Sequence, residues 1–575
     1  MADVHLQDIY GEFTDTDYRG VLNPKTGRHN TIRTMEAQLK STRLFNENYF
    51  AFLAALDDVV KRNIKLVVLP GDFSDDGQPL NIRALRKILD QYSKQHGITF
   101  LATTGNHDPV RPFTKEAGKK DFLGIKGMPQ AIISKAGLYE LGADQLSPII
   151  STDIKNWGYA EILQELRAFG FFPQEDFLYW ETPFSKYNDT YSFEAAQEAS
   201  LLENRKYANG EAGLLVPDVS YLIEPVEDVW LLALDANVYL PKDRLSGING
   251  NPDDFGGASV GYNNVLTHKK YLISWAKNVS QRAKKQGKTL IAFSHYPMVD
   301  FNDDASGMME NLLGEGKMQL QRVPREEVAT AFADAGIQIH VGGHVHINDT
   351  GIRTTENGNT LFNIQVPSLA AYMPGYKILT IHSEKEIEVE TVVMDEVMGF
   401  DELFPLYQME WDYLKQIWKR DILKVNNYGE FTEWHLKELV RMRFIPQDWN
   451  SDFAKALLHS TGKELLLRGR KDSQKSMAQE LPGDSLNLKS FEEWTGFDML
   501  IDFYRLRNAD ELALKDIDEN RMDQYIRLAT HMSGIEDVSF NTWGQLFLKT
   551  LQGQPADHFR IALDAGTIER LSPIQ

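Results

Sequence analysis

The chain has 575 residues, no cysteine and a formal charge of −21 at pH 7. The length exceeds one ordinary core and predicts two to four domains. The missing cysteines exclude disulfides, thiolate metal sites and a cysteine nucleophile. The acidic balance argues against a nucleic-acid polymer as partner, because that binding rests on Lys and Arg neutralising phosphates. No apolar run reaches the roughly 18 residues of a membrane span, so no span is expected. The lack of free thiols fits an oxidising compartment, and a periplasmic or secreted location is the expectation.

In chain order, Asp3-Val4-His5 comes first. An Asp-x-His at a strand end calls for an apolar strand before it, and only Met1 and Ala2 precede it. The expectation is a trimmed leading strand, with Asp3 on a frayed end. Residues 7–35 read as loop. Phe45, Tyr49, Phe52, Leu56 and Val59 recur at helical spacing and predict a helix over about 41–62. The run Lys65–Leu69 stops at Pro70-Gly71-Asp72, a helix is predicted near 79–96, and the strand from Ile98 to Thr104 delivers Gly105-Asn106-His107-Asp108. This alternation indicates an α/β domain. Over 109–218 it breaks down into a long aromatic insertion, read either as a cap over a site or as a small satellite core. It resumes with strands at 219–224 and 229–234, a helix at 267–286, and the strand Thr289–Phe293 ending in Ser294-His295. A helix near 324–335 and strand Ile337–Val341 deliver Gly343-His344-Val345-His346, and runs at 360–366, 376–382 and 386–394 complete a second set of strands.

From 397 to 575 the pattern predicts an all-α C-terminal domain without catalytic motifs, opening on a stripe of Tyr407, Trp411, Leu414, Trp418 and Ile422. Asp516 to Asn520 resembles the start of a calcium loop, but Arg521 stands where that loop needs glycine, so it reads as an acidic turn. Arg468, Arg470 and Lys471 read as a solvated basic turn.

The chemistry lies at the strand ends, where ligands bind in open α/β sheets. Side chains at i and i+2 of an extended segment share a face, so Asp3 with His5, and His344 with His346, can each reach one point. Carboxylates with imidazoles and no thiolate suit Mn, Fe or Zn better than calcium. Asp72, placed after a glycine, can bridge two ions, and two metals about 3.5–4 Å apart form the arrangement used for in-line displacement at phosphorus. Asn106 offers a neutral oxygen ligand. His107 is a candidate to stabilise the transition state or protonate the leaving oxygen, with Asp108 orienting its ring. Each motif alone has a bland reading: Gly-Asp is a turn, and a histidine on an apolar strand is a satisfied core residue. His340, inside its strand, is left structural on that ground.

The ordered set Asp3-x-His5, Gly71-Asp72, Gly105-Asn106-His107-Asp108, His295 and Gly343-His344-x-His346 resembles the calcineurin-like metallophosphoesterases over about residues 1–395. The resemblance implies a four-layer αββα sandwich, here with the inserted region at 109–218 of a catalytic domain spanning 1–396. It implies two divalent or trivalent ions, one on Asp3, His5, Asp72 and His346 and the other on Asp72, Asn106, His295 and His344. His107 would serve the transition state and leaving group. Asp76 replaces the arginine of the Ser/Thr protein phosphatases, which also have Glu where this chain has Asp108. Asp75 stands where purple acid phosphatases place a tyrosine ligand. What remains is similar to the cyclic-nucleotide-phosphodiesterase-like or nucleotidase-like branch. The function so implied is hydrolysis of a small phosphodiester or phosphomonoester by a metal-bridging hydroxide. The competing reading is a non-catalytic scaffold binding an unknown protein partner through the helical domain, although such members usually lose ligands that this chain keeps. Arg111, just past the central motif, is a candidate phosphate contact, with a surface ion pair as its plainer role.

Overall fold

The computed structural model describes residues 1–571 apart from 141, 143–144, 188–189, 211–212, 416 and 469–487; Arg470 and Lys471 therefore lie outside the described residues. The elements that position the site are, in chain order, helix α1 (Asn48–Lys61), strand β1 (Leu66–Pro70), helix α2 (Pro79–His96), and strands β2 (Thr99–Thr103), β3 (Tyr179–Glu181), β4 (Tyr221–Val226) and β5 (Val229–Leu234). Helix α3 (Lys270–Gln286), β6 (Thr289–Ser294), helix α4 (Glu326–Asp334) and strands β7 (Ile339–Gly342), β8 (Asp349–Thr354) and β9 (Thr360–Gln365) follow. Strands β10 (Gly375–Ser383) and β11 (Glu386–Val393) close the series.

The large sheet runs β8-β9-β7-β6-β5-β4-β3, with β5, β6, β7 and β9 parallel. Strand alternation sorts its side chains between two cores. Leu231, Ala233, Ile291 and Phe293 face inward, toward a core shared with Val67 and Leu69 of β1 and with Tyr376 of β10 and Val389 of β11, strands that pair antiparallel in a second sheet. Leu232, Leu234 and Ala292 face outward, where Leu272, Ala276 and Val279 of α3 and Val328 and Phe332 of α4 cover them. Helices α1 and α2 add Phe52, Leu56, Leu85 and Leu89 to the inner core. The result is a four-layer αββα sandwich. Helix α2 begins with Pro79, whose missing N–H is no loss in a first turn, and stops at Gly97, whose φ of 64° suits glycine.

The 109–218 insertion is tied to this frame. Its strand β3 forms one edge of the large sheet, and Trp180, Tyr159, Phe169 and Phe171 enter the inner core.

Among its described residues, the region from Phe404 to Lys549 carries helices and no strand, with helices α5 (Tyr428–Leu439), α6 (Gly496–Ala509), α7 (Glu519–Met532) and α8 (Val538–Lys549) among them. The first helix there ends at Leu414 with Lys415 left-handed, so Trp418 and Ile422 continue the expected stripe from a separate turn. Asp518 caps α7 by accepting from the Arg521 N–H, which explains the acidic turn without a cation. The all-α expectation fails at 558–570. There β12 (His558–Ala562) pairs antiparallel with β11, and β13 (Thr567–Arg570) pairs with β12. Phe559 and Ile561 alternate into the inner core, so burial on one face decides for strand. Among the described residues no helix is long and apolar enough to cross a membrane.

Candidate metal centre

The carboxyl ends of β1, β2, β6 and β7 point at one spot, and each is followed at once by polar residues. Asp3 does not fray. Its N–H donates to the Gly71 carbonyl (3.3 Å) and that of His5 to the Asp72 carbonyl (2.9 Å), while Leu6 bridges Ser74. Asp3 and His5 are fully buried. Two glycines leave room for the carboxylates: a Cβ on Gly105 would collide with Asp72, and one on Gly343 with Asp3.

For Asp3 and His5 the i, i+2 argument holds in outcome but not in cause, while His344 and His346 fall into different donor groups instead of reaching one point. Asp3, His5, Asp72, His344 and His346 have φ of 50°, 45°, 48°, 78° and 58°, so these residues are left-handed rather than extended. Such conformations cost of order 1–3 kcal/mol each and persist where the surroundings over-determine them.

Two groups of donors result, Asp3 with His5 and His346, and Asp72 with His295 and His344, each with ligand atoms within 4.8 Å of one another. The hydrogen bonds behind the rings set their tautomers. His295 Nδ1–H donates to the Pro70 carbonyl (3.2 Å) and His344 Nε2–H to the Ser259 carbonyl (3.0 Å). In the neutral tautomers these bonds set, their remaining nitrogens carry lone pairs that face each other at 3.0 Å. Burial opposes a charge on His295, but Asp72 outweighs it and raises that imidazole above the ordinary histidine value. Asp72 Oδ2 and Asn106 Oδ1 each lie 3.2 Å from His295 Nε2. His346 Nδ1–H likewise donates to the Thr42 carbonyl (3.0 Å), turning its Nε2 to within 3.1 Å of His5 Nε2 and 3.5 Å of Asp3 Oδ1. In the His295–His344 pair, facing electron pairs repel unless a cation lies between them; no bond behind the ring fixes the His5 tautomer, since its Nδ1 is buried without a partner. For metal–nitrogen bonds of about 2.0–2.1 Å, neighbouring ligand atoms stand about 3 Å apart, so the spacing and donor chemistry fit two ions. Asp72 Oδ2, 3.2 Å from His295 Nε2 and 3.8 Å from His5 Nε2, stands between the groups.

His107 sits beside this centre, its backbone N–H donating to Asp72 Oδ1 (2.8 Å) and its ring Nε2 3.9 Å from Asp72 Oδ2. The carboxylate that orients its ring is Asp76, 2.5 Å from Nδ1, and not Asp108. Asp108 accepts from the backbone N–H groups of Ser74 (2.7 Å) and Gly105 (3.3 Å) and so holds the loop, because its side chain points back under the strand end. The Arg111 guanidinium donates to the Val110 carbonyl (2.7 Å). The cation near the imidazole is Arg43, 3.5 Å from both ring nitrogens and paired with Asp75 at 2.7 Å. Asp75 also takes Arg33, and Lys119 of the insertion pairs with Asp76. No motif marks Arg43. Asp76 was visible in the run Asp72 to Gly77, but only its partners give it a role. His340, bonded to Ser294 Oγ and Asn363 Oδ1 at 2.8 Å each, is a satisfied strand histidine.

Burial, then Arg43, holds His5 well below the usual histidine range, and burial with Arg322 does the same for His344, which keeps both neutral and ready to ligate. Burial opposes the charge on Asp72, but His295 and His107 outweigh it and hold this carboxyl well below its ordinary value. Burial and neighbouring Asp72 push Asp108 well above it.

A third convergence, Asp303 with Asp349 and Asp510, lies apart from this centre between the sandwich and α6. Burial, then Asp300, pushes Asp303 up to about 7. A raised folded value means the fold favours the proton. Its stabilisation is complete below the unfolded carboxylate range and is lost as pH rises toward 7, on the order of 2–4 kcal/mol. Asp303→Asn should therefore flatten the fall in thermal midpoint between pH 5 and pH 8. An unchanged slope would assign that pH dependence to other groups.

Residues 1–194 match the family model described as calcineurin-like phosphoesterase. Among solved structures, the chain is similar to a dimetal phosphatase from Danio rerio at 11% identity and a TM-score of 0.34, covering 68% of this chain and 94% of that one. It is also similar to a purple acid phosphatase from yellow lupin, Lupinus luteus, at 11% identity and a TM-score of 0.29, covering 68% of this chain and half of that one. No curated protein matches.

Proposed function

We propose that the chain, whose residues 1–194 match the calcineurin-like phosphoesterase family model, hydrolyses a small phosphodiester or phosphomonoester. Asp3, His5, Asp72 and His346 would hold one metal ion, and Asp72, Asn106, His295 and His344 the other. The nitrogen and oxygen donors favour Mn, Fe or Zn. Bound there, two ions lower the pKa of a shared water and neutralise charge on the phosphoryl group.

The chain's own residues supply the rest. Asp76 holds His107 Nδ1, which leaves Nε2 turned toward Asp72 and placed to hand a proton to the departing oxygen. Arg43, 3.5 Å from that ring, is placed to take a non-bridging phosphoryl oxygen, and its own pairing with Asp75 keeps it there.

The observation that carries the reading is the pair of opposed imidazole nitrogens, His295 with His344 and His5 with His346, joined by one carboxylate. Chelation should abolish hydrolysis of p-nitrophenyl phosphate and bis-p-nitrophenyl phosphate, and added Mn or Zn should restore it, with two ions per chain by elemental analysis. Undiminished hydrolysis after complete metal removal would end this reading. The ratio of the two activities sorts monoesterase from diesterase.

A further inference from the structure

A cleft of about 130 Å³ opens directly on the ligand cluster. His344 and His346 form one end. Arg322, Arg443 and Arg507 line the rest, with Asp448 as the one lining carboxylate. Arg443 and Arg507 come from the helical region, and Arg322 from the loop before α4.

Asp448 acts on Arg443 and Arg507, and Asp72 on Arg322, only from beyond ion-pair distance. Among the described residues none of the three forms an ion pair. Arg443 donates to Gln447 Oε1 (3.3 Å) and the Lys40 carbonyl (3.2 Å), and Arg507 Nε to Asn302 Oδ1 (2.8 Å). Arg322 Nε is sealed from solvent without any partner. Their near neighbours behave otherwise: Arg441 pairs with Glu438, and Arg505 with Asp502 and Glu433. In a protein of charge −21, carboxylates are plentiful, so three unpaired guanidiniums around one cleft are not a shortage of partners. Burial pushes the ionisation of all three below the ordinary arginine value, as for cations held without enough opposing charge. Leaving buried charge unpaired is costly, and an incoming anion relieves that cost.

Resting on the hydrolase reading above, we propose that the substrate carries a second phosphate, which Arg322, Arg443 and Arg507 hold while the metal centre works on the first. Guanidiniums match phosphate because their paired N–H groups meet two oxygens at once. The arrangement also gives the helical region a task, since two of the three arginines belong to it. Charge repulsion between the two phosphates is then met at both ends of the cleft.

The test is titration calorimetry on the full-length, metal-loaded protein. The probes are linear alkyl α,ω-bisphosphates of two to six carbons, each against the alkyl monophosphate and the ω-carboxyalkyl phosphate of the same length. At least one bisphosphate should bind tenfold or more tightly than its monophosphate. That advantage should fall about tenfold in Arg322→Gln and in Arg443→Gln, return in part with Arg322→Lys, and weaken as salt rises. Circular dichroism checks that the variants fold. No advantage at any length, or an advantage that survives both substitutions together, overturns the proposal. An equal advantage for the carboxyalkyl phosphates overturns the choice of phosphate. Turnover of p-nitrophenyl phosphate by the same preparation reports separately on the hydrolase reading: turnover without a bisphosphate advantage removes only this inference, and an advantage without turnover removes only the hydrolysis.

Discussion

Asp72→Asn should lower hydrolysis by about a thousandfold or more, equivalent to about 4 kcal/mol of transition-state stabilisation. The substitution keeps the side chain's shape and its bond from the His107 N–H. It removes the negative charge on the one oxygen that faces both ligand groups, 3.2 Å from His295 Nε2 and 3.8 Å from His5 Nε2. Two cations held so close would repel strongly, and a carboxylate between the two donor groups would offset that repulsion. Metal content should accordingly drop from two ions per chain to one or none, with the far-ultraviolet spectrum unchanged. Wild-type activity with full metal content in this variant would show that the centre lies elsewhere.

His107→Ala should leave both ions bound and KM nearly unchanged, yet reduce kcat by about a hundredfold to a thousandfold, the range for a positioned proton donor. The loss should depend on the leaving group. An alkyl phosphate, whose alkoxide must be protonated as it departs, should suffer most, and p-nitrophenyl phosphate, whose phenolate leaves unaided, should suffer least. Asp76→Asn removes the carboxylate 2.5 Å from His107 Nδ1 and should repeat this leaving-group pattern at about a tenth to a hundredth of wild-type activity. Equal losses on both substrates would assign His107 to charge stabilisation instead of proton delivery.

Asp72, Asn106, His295, His344 and His346 were legible as candidate ligands because each follows an apolar strand that must end where the sheet ends, whereas Asp3 and His5 have no such strand before them. Five polar positions placed after four such strands can scarcely avoid one another. The backbone that aims them was not legible. Left-handed φ at Asp3 and His5 reflects how Gly71 and Asp72 hydrogen-bond to them from a distant strand, which no local pattern encodes. Asp108 illustrates the same limit. A carboxylate beside a histidine in sequence looks like its partner, but the turn sends it to the N–H groups of Ser74 and Gly105 and leaves the ring to Asp76. Arg43, Arg322, Arg443 and Arg507 could not be found from sequence because their importance lies in what does and does not surround them in space. The strand at 558–562 carried a readable alternation, Phe559 and Ile561 inward with Arg560 between, but the helical run before it masked the change of period.

That strand also bears on the order in which the molecule can be built. While the ribosome is still making the helical region, β11 has β10 on one side and an open hydrogen-bonding edge on the other, because β12 has yet to emerge. Contacts so distant along the polymer are entropically expensive to close and slow to form, and a bare edge invites pairing with other nascent chains. The second sheet is thus finished late, and the helices synthesised in between must fold without trapping the gap that the final hairpin fills.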